Sequence, residues 1–252
     1  MSQTGRLQDR IVVVTGATSG IGRAIAERCV HEGAIVIANG RSDRALRDLA
    51  AAHHGRLIAY PADLIEDGSC EGVVAQAELL GAPFGLVHAA GTVRRGEDPR
   101  ATDVSEFLDF IALNLATAFT LTSAMLRAIP DGGDGGSIVL LGSQVAHVGV
   151  PGYETYTAAK GGVTAMARSF AAEAGPAGVR VNVLAPGVVR TPMAYVDREN
   201  FDDLAPGLAQ LHPLRRIGAP EDLAGPAVFL LSDDATWLTG QTLIVDGGFT
   251  AV

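Results

Sequence analysis

Seven short runs of apolar, largely β-branched residues recur along the chain, at 11–14, 35–38, 56–60, 84–88, 137–141, 180–184 and 242–245. In most of these runs successive positions are apolar instead of alternating with polar ones. Both faces of each strand are therefore covered, as in a parallel sheet packed between helices. Helix-length segments lie between the runs, among them 21–32, which stops at Gly33, and 43–52. The alternation predicts a doubly wound α/β fold with a seven-stranded, mostly parallel sheet. No linker, repeat or low-complexity tract interrupts it, so residues 1–252 are expected to form a single domain. Residues 188–218, between the sixth and seventh strands, are rich in Pro, Gly and Asp with scattered apolar anchors. A long irregular insertion at that edge of a sheet is expected to act as a substrate lid.

Composition narrows the class. An apolar fraction of 48% is ample for a large core. With 19 basic and 28 acidic residues the net charge is −9, and the arginines are dispersed. That argues against nucleic acid and anionic membranes as partners. No apolar run approaches membrane-spanning length, residues 1–6 carry no apolar signal region, and a cytoplasmic location is expected. Cys29 and Cys70 lack metal-ligand spacing, so no metal is expected; their even count permits one disulfide, but Cys29 falls in an apolar helical stretch and buried thiols are expected.

The first strand runs into Thr15-Gly16-Ala17-Thr18-Ser19-Gly20-Ile21-Gly22, and a helix follows. Glycines at such a turn let the backbone approach a pyrophosphate, which the helix N-terminus favours. The tip of the second strand should meet an adenosine ribose. An acid there would select NAD; this chain has Asn39-Gly40-Arg41-Ser42. The forked donor of Arg41 and the hydroxyl of Ser42 suit a 2′-phosphate, so NADP(H) is preferred, with NAD(H) the alternative.

Every basic side chain but one is arginine. The single lysine, Lys160, lies four residues after Tyr156. On a helix these positions share a face, and an ammonium beside a phenol favours phenolate, drawing its pKa down from about 10 toward the neutral range. Tyr60, Tyr153 and Tyr195 have no such partner. Ser143 follows the fifth strand, at the edge where open α/β sheets bind ligands. There is no Gly-x-Ser-x-Gly elbow, which disfavours serine-hydrolase chemistry.

These motifs, in this order and over nearly the whole chain, resemble the short-chain dehydrogenase/reductase family, most of all its 3-oxoacyl-carrier-protein reductase type. The resemblance rests on Thr15–Gly22, Asp63-Leu64, His88-Ala89-Ala90-Gly91, Asn114, Ser143, Tyr156 with Lys160, Pro186-Gly187 with Val189 and Thr191, and the ending Thr239-Gly240-Gln241 with Asp246-Gly247-Gly248. It implies a Rossmann-type fold, an NADP-linked exchange of secondary alcohol and ketone on a small-molecule substrate, and a homo-oligomer, a tetramer ahead of a dimer. It implies that Tyr156 is the general acid or base and that Ser143 orients the carbonyl. Lys160 serves Tyr156 and the nicotinamide ribose, and Asn114 positions a water. Gly16, Thr18, Ser19, Gly20, Ile21, Gly22, Asp63, Leu64, Ala90, Gly91, Pro186, Gly187, Val189 and Thr191 would line the cofactor. One position departs: the family usually has asparagine where His88 stands, and a structural role is expected for this histidine.

Substrate contacts are expected from Ser143, Tyr153, Met193 and Tyr195, with Phe201 and Leu204 completing an apolar wall. His147, Val148 and Val150 are further candidates beside Tyr153. His212 and the pair Arg215-Arg216 could meet an acidic substrate or carrier. A sugar or polyol dehydrogenase, or a non-catalytic dinucleotide-binding regulator, are the competing readings.

Overall fold

The structure is a computed structural model that describes residues 5–93, 100, 103–130, 133–197 and 200–252. Seven strands form one sheet: β1 (Ile11–Thr15), β2 (Ile35–Gly40), β3 (Leu57–Pro61), β4 (Gly85–His88), β5 (Gly136–Leu141), β6 (Val179–Pro186) and β7 (Thr242–Val245). The order is β3-β2-β1-β4-β5-β6-β7, and every neighbouring pair is parallel. All seven expected strands are present, each within two residues of its expected ends.

The apolar runs explain the layers. Val12, Val14, Val36 and Val139 point to one face, where they pack with α1 (Gly20–His31), α2 (Asp43–Ala52) and α9 (Glu221–Leu231). Ile11, Val13, Ile37 and Ile138 point to the other, against α3 (Ser69–Glu78), α5 (Thr117–Ala128) and α6 (Glu154–Ala174). Burial on both faces is what a covered parallel sheet requires. Chain order reverses between β1 and β4, which opens a crevice at their C-terminal ends.

Two segments depart from expectation. Residues 188–218 are largely helical, with α7 (Pro192–Asp197) and α8 (Phe201–Gln210). Phe201 and Ala205 are buried one turn apart, while Pro206 and Gly207 sit on the exposed side of α8, where they disturb no packing. Val104–Ala128 is one continuous helical stretch, long and apolar enough by length and composition to cross a membrane. Its threonines and Asn114 hid that run in the sequence. Here Leu121 and Met125 are fully buried in the core. It comprises α4 (Val104–Ile111), a π-helical turn (Ala112–Ala116) and α5. Cys29 and Cys70 are both free and buried. Burial pushes their thiols up, to about 12 and about 11.

Candidate active site

A cavity of about 700 Å³ opens at the C-terminal edge of the sheet, across the β1/β4 crevice. Of the residues singled out from the sequence, every catalytic one and every cofactor one but Ser42 lines it, and of the substrate candidates Ser143, Val150, Tyr153, Met193, Phe201 and His212 do.

Its first end is built by the turn from β1 into α1. Gly16 has φ +67°, and a Cβ there would lie 2.8 Å from the backbone of Ala89 and Ala90, so the turn has no room for a side chain. Gly20, the first residue of α1, brings the unpaired N–H groups of that helix to the same wall. The tip of β2 is braced by Asn39, whose Nδ2 donates to the carbonyls of Tyr60 (3.1 Å) and Ala62 (3.2 Å). Arg41 follows on the cavity rim, exposed, with no hydrogen-bond or ion-pair partner among the described residues. Its fork stays available to an anion. Ser42 instead caps α2, its Oγ accepting from Ala45 N at 3.3 Å. A backbone cradle closed to side chains, a helix N-terminus and a free guanidinium fit a dinucleotide carrying a ribose phosphate.

The second end gathers the polar side chains. Asn114 sits in the π-helical turn, 1% exposed, accepting from Thr92 N at 3.0 Å and donating to Phe110 O at 3.1 Å. Gly91 is what admits it: a Cβ there would stand 2.7 Å from Asn114 Oδ1. Lys160 is buried, its Nζ donating to Leu141 O at 2.8 Å and lying 5.8 Å from the ring centre of Tyr156. Burial draws the Lys160 ammonium down to about 8. Tyr156 meets Phe110 edge-on at 6.1 Å and Tyr153 at 6.4 Å between ring centres. Ser143 follows β5 and caps the short turn Gln144–Ala146, accepting from Val145 N at 3.3 Å.

The substrate side is an apolar wall that includes Val150, Tyr153, Met193, Phe201, Leu208 and Phe249. Tyr195 is not part of it. Its hydroxyl donates to Asp202 and accepts from Arg190 Nη1, which also pairs with Asp202, so the tyrosine ties α7 to α8 from outside. Leu204, His147 and Val148 also fall outside the lining. Arg216 pairs with Asp222 and Arg215 bonds Gln210, so neither guanidinium reaches the cavity, whereas His212 does. Sequence reading missed Thr92, Gln144 and Phe249. Phe249 had a usable signal: it follows the last strand, at the edge where an all-parallel sheet places its ligands.

The model of a family described as enoyl-(acyl carrier protein) reductase, named adh_short_C2, matches residues 16–250. The chain belongs to the short-chain dehydrogenase/reductase family. Among the relatives of this dehydrogenase/reductase is the 2,5-dichloro-2,5-cyclohexadiene-1,4-diol dehydrogenase of Sphingobium indicum, 35% identical over 98% of this chain and 99% of that one. The L-rhamnose 1-dehydrogenase (NAD(P)(+)) of Azotobacter vinelandii is 37% identical over 96% and 97%. The 3-oxoacyl-(acyl-carrier-protein) reductase of Escherichia coli is 36% identical over 97% and 99%. A solved structure from Sinorhizobium meliloti, assigned as a short-chain alcohol dehydrogenase, superposes with a TM-score of 0.90 at 33% identity, covering 97% of this chain and 98% of its own.

Proposed function

We propose that this protein is an NADP(H)-dependent oxidoreductase that interconverts a secondary alcohol and its ketone. The observation that carries this reading is the convergence of Asn114, Ser143, Tyr156 and Lys160 on the same cavity as the glycine turn and the unpartnered Arg41. When bound, the nicotinamide supplies hydride to the ketone or accepts it from the alcohol. The protein's own side chains do the rest. Tyr156 passes the proton to or from the substrate oxygen, and the ammonium of Lys160, 5.8 Å from its ring, favours the phenolate form. Ser143 donates to the same oxygen and orients it. Lys160 also holds the nicotinamide ribose, and Asn114 fixes a water that connects Lys160 to solvent. Gly16–Gly22 cradle the pyrophosphate, Asp63 and Leu64 flank the adenine, Arg41 takes the 2′-phosphate, and Pro186, Gly187, Val189 and Thr191 bear on the nicotinamide.

The substrate carries an apolar body beside its oxygen, in keeping with the wall from Val150 to Phe249. A 3-oxoacyl thioester or another small carbonyl compound meets that description. An NAD-linked sugar or polyol oxidation is the second reading, favoured by the rhamnose and cyclohexadienediol dehydrogenases among the relatives. Residues 188–218, which contribute Met193 and Phe201 to the wall, act as a lid of one catalytic domain.

A homotetramer is the assembly we favour. Its support is the exposed Phe119, tilted against Phe170 with ring centres 5.6 Å apart, and the small exposed side chains of α6 at Ala158, Ala165 and Ala172. Trp237, 98% exposed beside a hollow at the opposite end of the sheet, is a second apolar contact point. The two free buried thiols suit a cytoplasmic location. Fluorescence titration with NADPH and NADH in parallel tests the cofactor. Tighter NADPH binding supports the proposal; tighter NADH binding replaces it with the second reading. Binding of neither overturns the enzymatic reading in favour of a regulator.

A further inference from the structure

His88, which ends β4, is 3% exposed, and both its ring nitrogens are engaged. Its Nδ1 lies 2.8 Å from Thr15 Oγ1, and its Nε2 lies 3.2 Å from Thr117 Oγ1. The directions of these bonds follow from the outer members. Thr117 Oγ1 donates its hydrogen to the carbonyl of Leu113 at 2.6 Å, so it can only accept from His88. The ring therefore carries its proton on Nε2, and Nδ1 accepts from Thr15. Thr15 Oγ1 in turn accepts from Ala90 N at 3.2 Å. Burial, with the Lys160 ammonium adding to it, holds the ring neutral by drawing its pKa down to about 3.

The ends of this relay belong to the active site. Leu113 lies inside the π-helical turn and directly precedes Asn114. Ala90 is two residues before Thr92, whose N–H is held by Asn114 Oδ1. Hydrogen bonds thus run from the Ala90–Thr92 loop through β1, β4 and α5 to the π turn, and return to the loop through Asn114.

We infer that His88 is a positioning residue: through Thr117 and the Leu113 carbonyl it fixes the π turn that presents Asn114. Asparagine at this place would reach as far as Nδ1 does, toward Thr15, but not across to Thr117. Glutamine would match the reach of Nε2. The inference rests on the proposed function only for the catalytic weight of Asn114.

The test begins with the tautomer, read from two-bond proton–nitrogen correlations of the imidazole. The expected result is Nε2–H and an untitrated ring from about pH 5 to about pH 9; an Nδ1–H ring overturns the relay. Next, hydrogen exchange of the Thr92 amide is compared in wild type, His88→Asn, His88→Gln and Thr117→Val. Losing one buried hydrogen bond should speed exchange about five- to tenfold in His88→Asn and Thr117→Val, and by less than about twofold in His88→Gln. If His88→Asn does not fold, Thr117→Val carries the comparison. Wild-type protection of Thr92 in the variants that remove the Nε2 arm refutes the inference. Finally, His88→Asn should lower kcat in the parent but not in an Asn114→Ala background, with the cofactor dissociation constant unchanged. An equal drop in both backgrounds means His88 acts elsewhere. Full kcat in Asn114→Ala alone refutes the catalytic role of Asn114, and the exchange data then still decide the positioning.

Discussion

Lys160 donates to Leu141 O but faces no carboxylate among the described residues, and its ammonium is drawn from an ordinary 10.5 down to about 8. Below pH 8 the folded protein carries this charge against a burial cost of about 3 kcal/mol. Replacing Lys160 with methionine, of similar length and uncharged, removes that cost and loses a hydrogen bond worth about 1 kcal/mol. The variant should be more stable than wild type at pH 7 by about 2 kcal/mol, raising Tm by about 4–8 °C, while turnover collapses. The pH dependence follows the same charge. Between about 8 and 10.5 the unfolded chain still holds the lysine proton and the folded chain has released it. Stability due to this site therefore rises with pH across that window. The wild-type minus variant difference should shrink toward zero or change sign by pH 10.5, and groups remote from Lys160 cancel in it. Urea unfolding of both proteins at several pH values measures the difference. A variant less stable than wild type at pH 7, or a difference flat in pH, would refute the account of a strained buried ammonium.

Arg41→Ala should raise the NADPH dissociation constant about 10- to 100-fold, the worth of a charge-assisted hydrogen bond, and leave NADH within about twofold; equal effects in the titrations would remove Arg41 from the phosphate site. Tyr156→Phe should lower kcat by about 100-fold or more while cofactor affinity persists, since only the proton path is lost; near-normal turnover would discard Tyr156 as the acid or base. Because Tyr195 faces Asp202 and Arg190 instead of the cavity, Tyr195→Phe should keep KM within about twofold and cost at most about 1 kcal/mol of stability. A large change in KM with no loss of stability would return Tyr195 to the substrate wall.

The sheet was legible because most of its strands are apolar at consecutive positions, the pattern a doubly covered parallel strand needs. Tyr156 and Lys160 were legible for a similar local reason, the one-turn spacing. The helix at 201–210 was not. Pro206 and Gly207 argue against helix by propensity, and their placement on the outer face is a tertiary fact. The π turn at Asn114 was equally hidden, because widening a helix by one residue leaves no mark in composition. Ser42 and Tyr195 were misplaced by proximity. Each adjoins a cavity residue, yet a cap bond to Ala45 and an ion-pair cluster with Asp202 turn their side chains away. His88 could be seen as an unusual residue, but not as a bridge, since Thr15 and Thr117 lie 73 and 29 residues from it.

Trp237 is the only tryptophan in the chain and is almost entirely exposed. The hollow beside it is lined by Gly136 and Val179, where β5 and β6 begin, so it is separated from the cavity by a strand length, about 15–20 Å. The indole is thus a built-in spectroscopic probe of the wrong end of the molecule for ligand occupancy and the right end for association. Its emission should sit far to the red in dilute protein and would move to the blue on any association that covers that face. Cofactor capture can be followed through the reduced nicotinamide's own emission, excited beyond the indole's absorption, while the position of the indole band, and not its intensity, reports on that face.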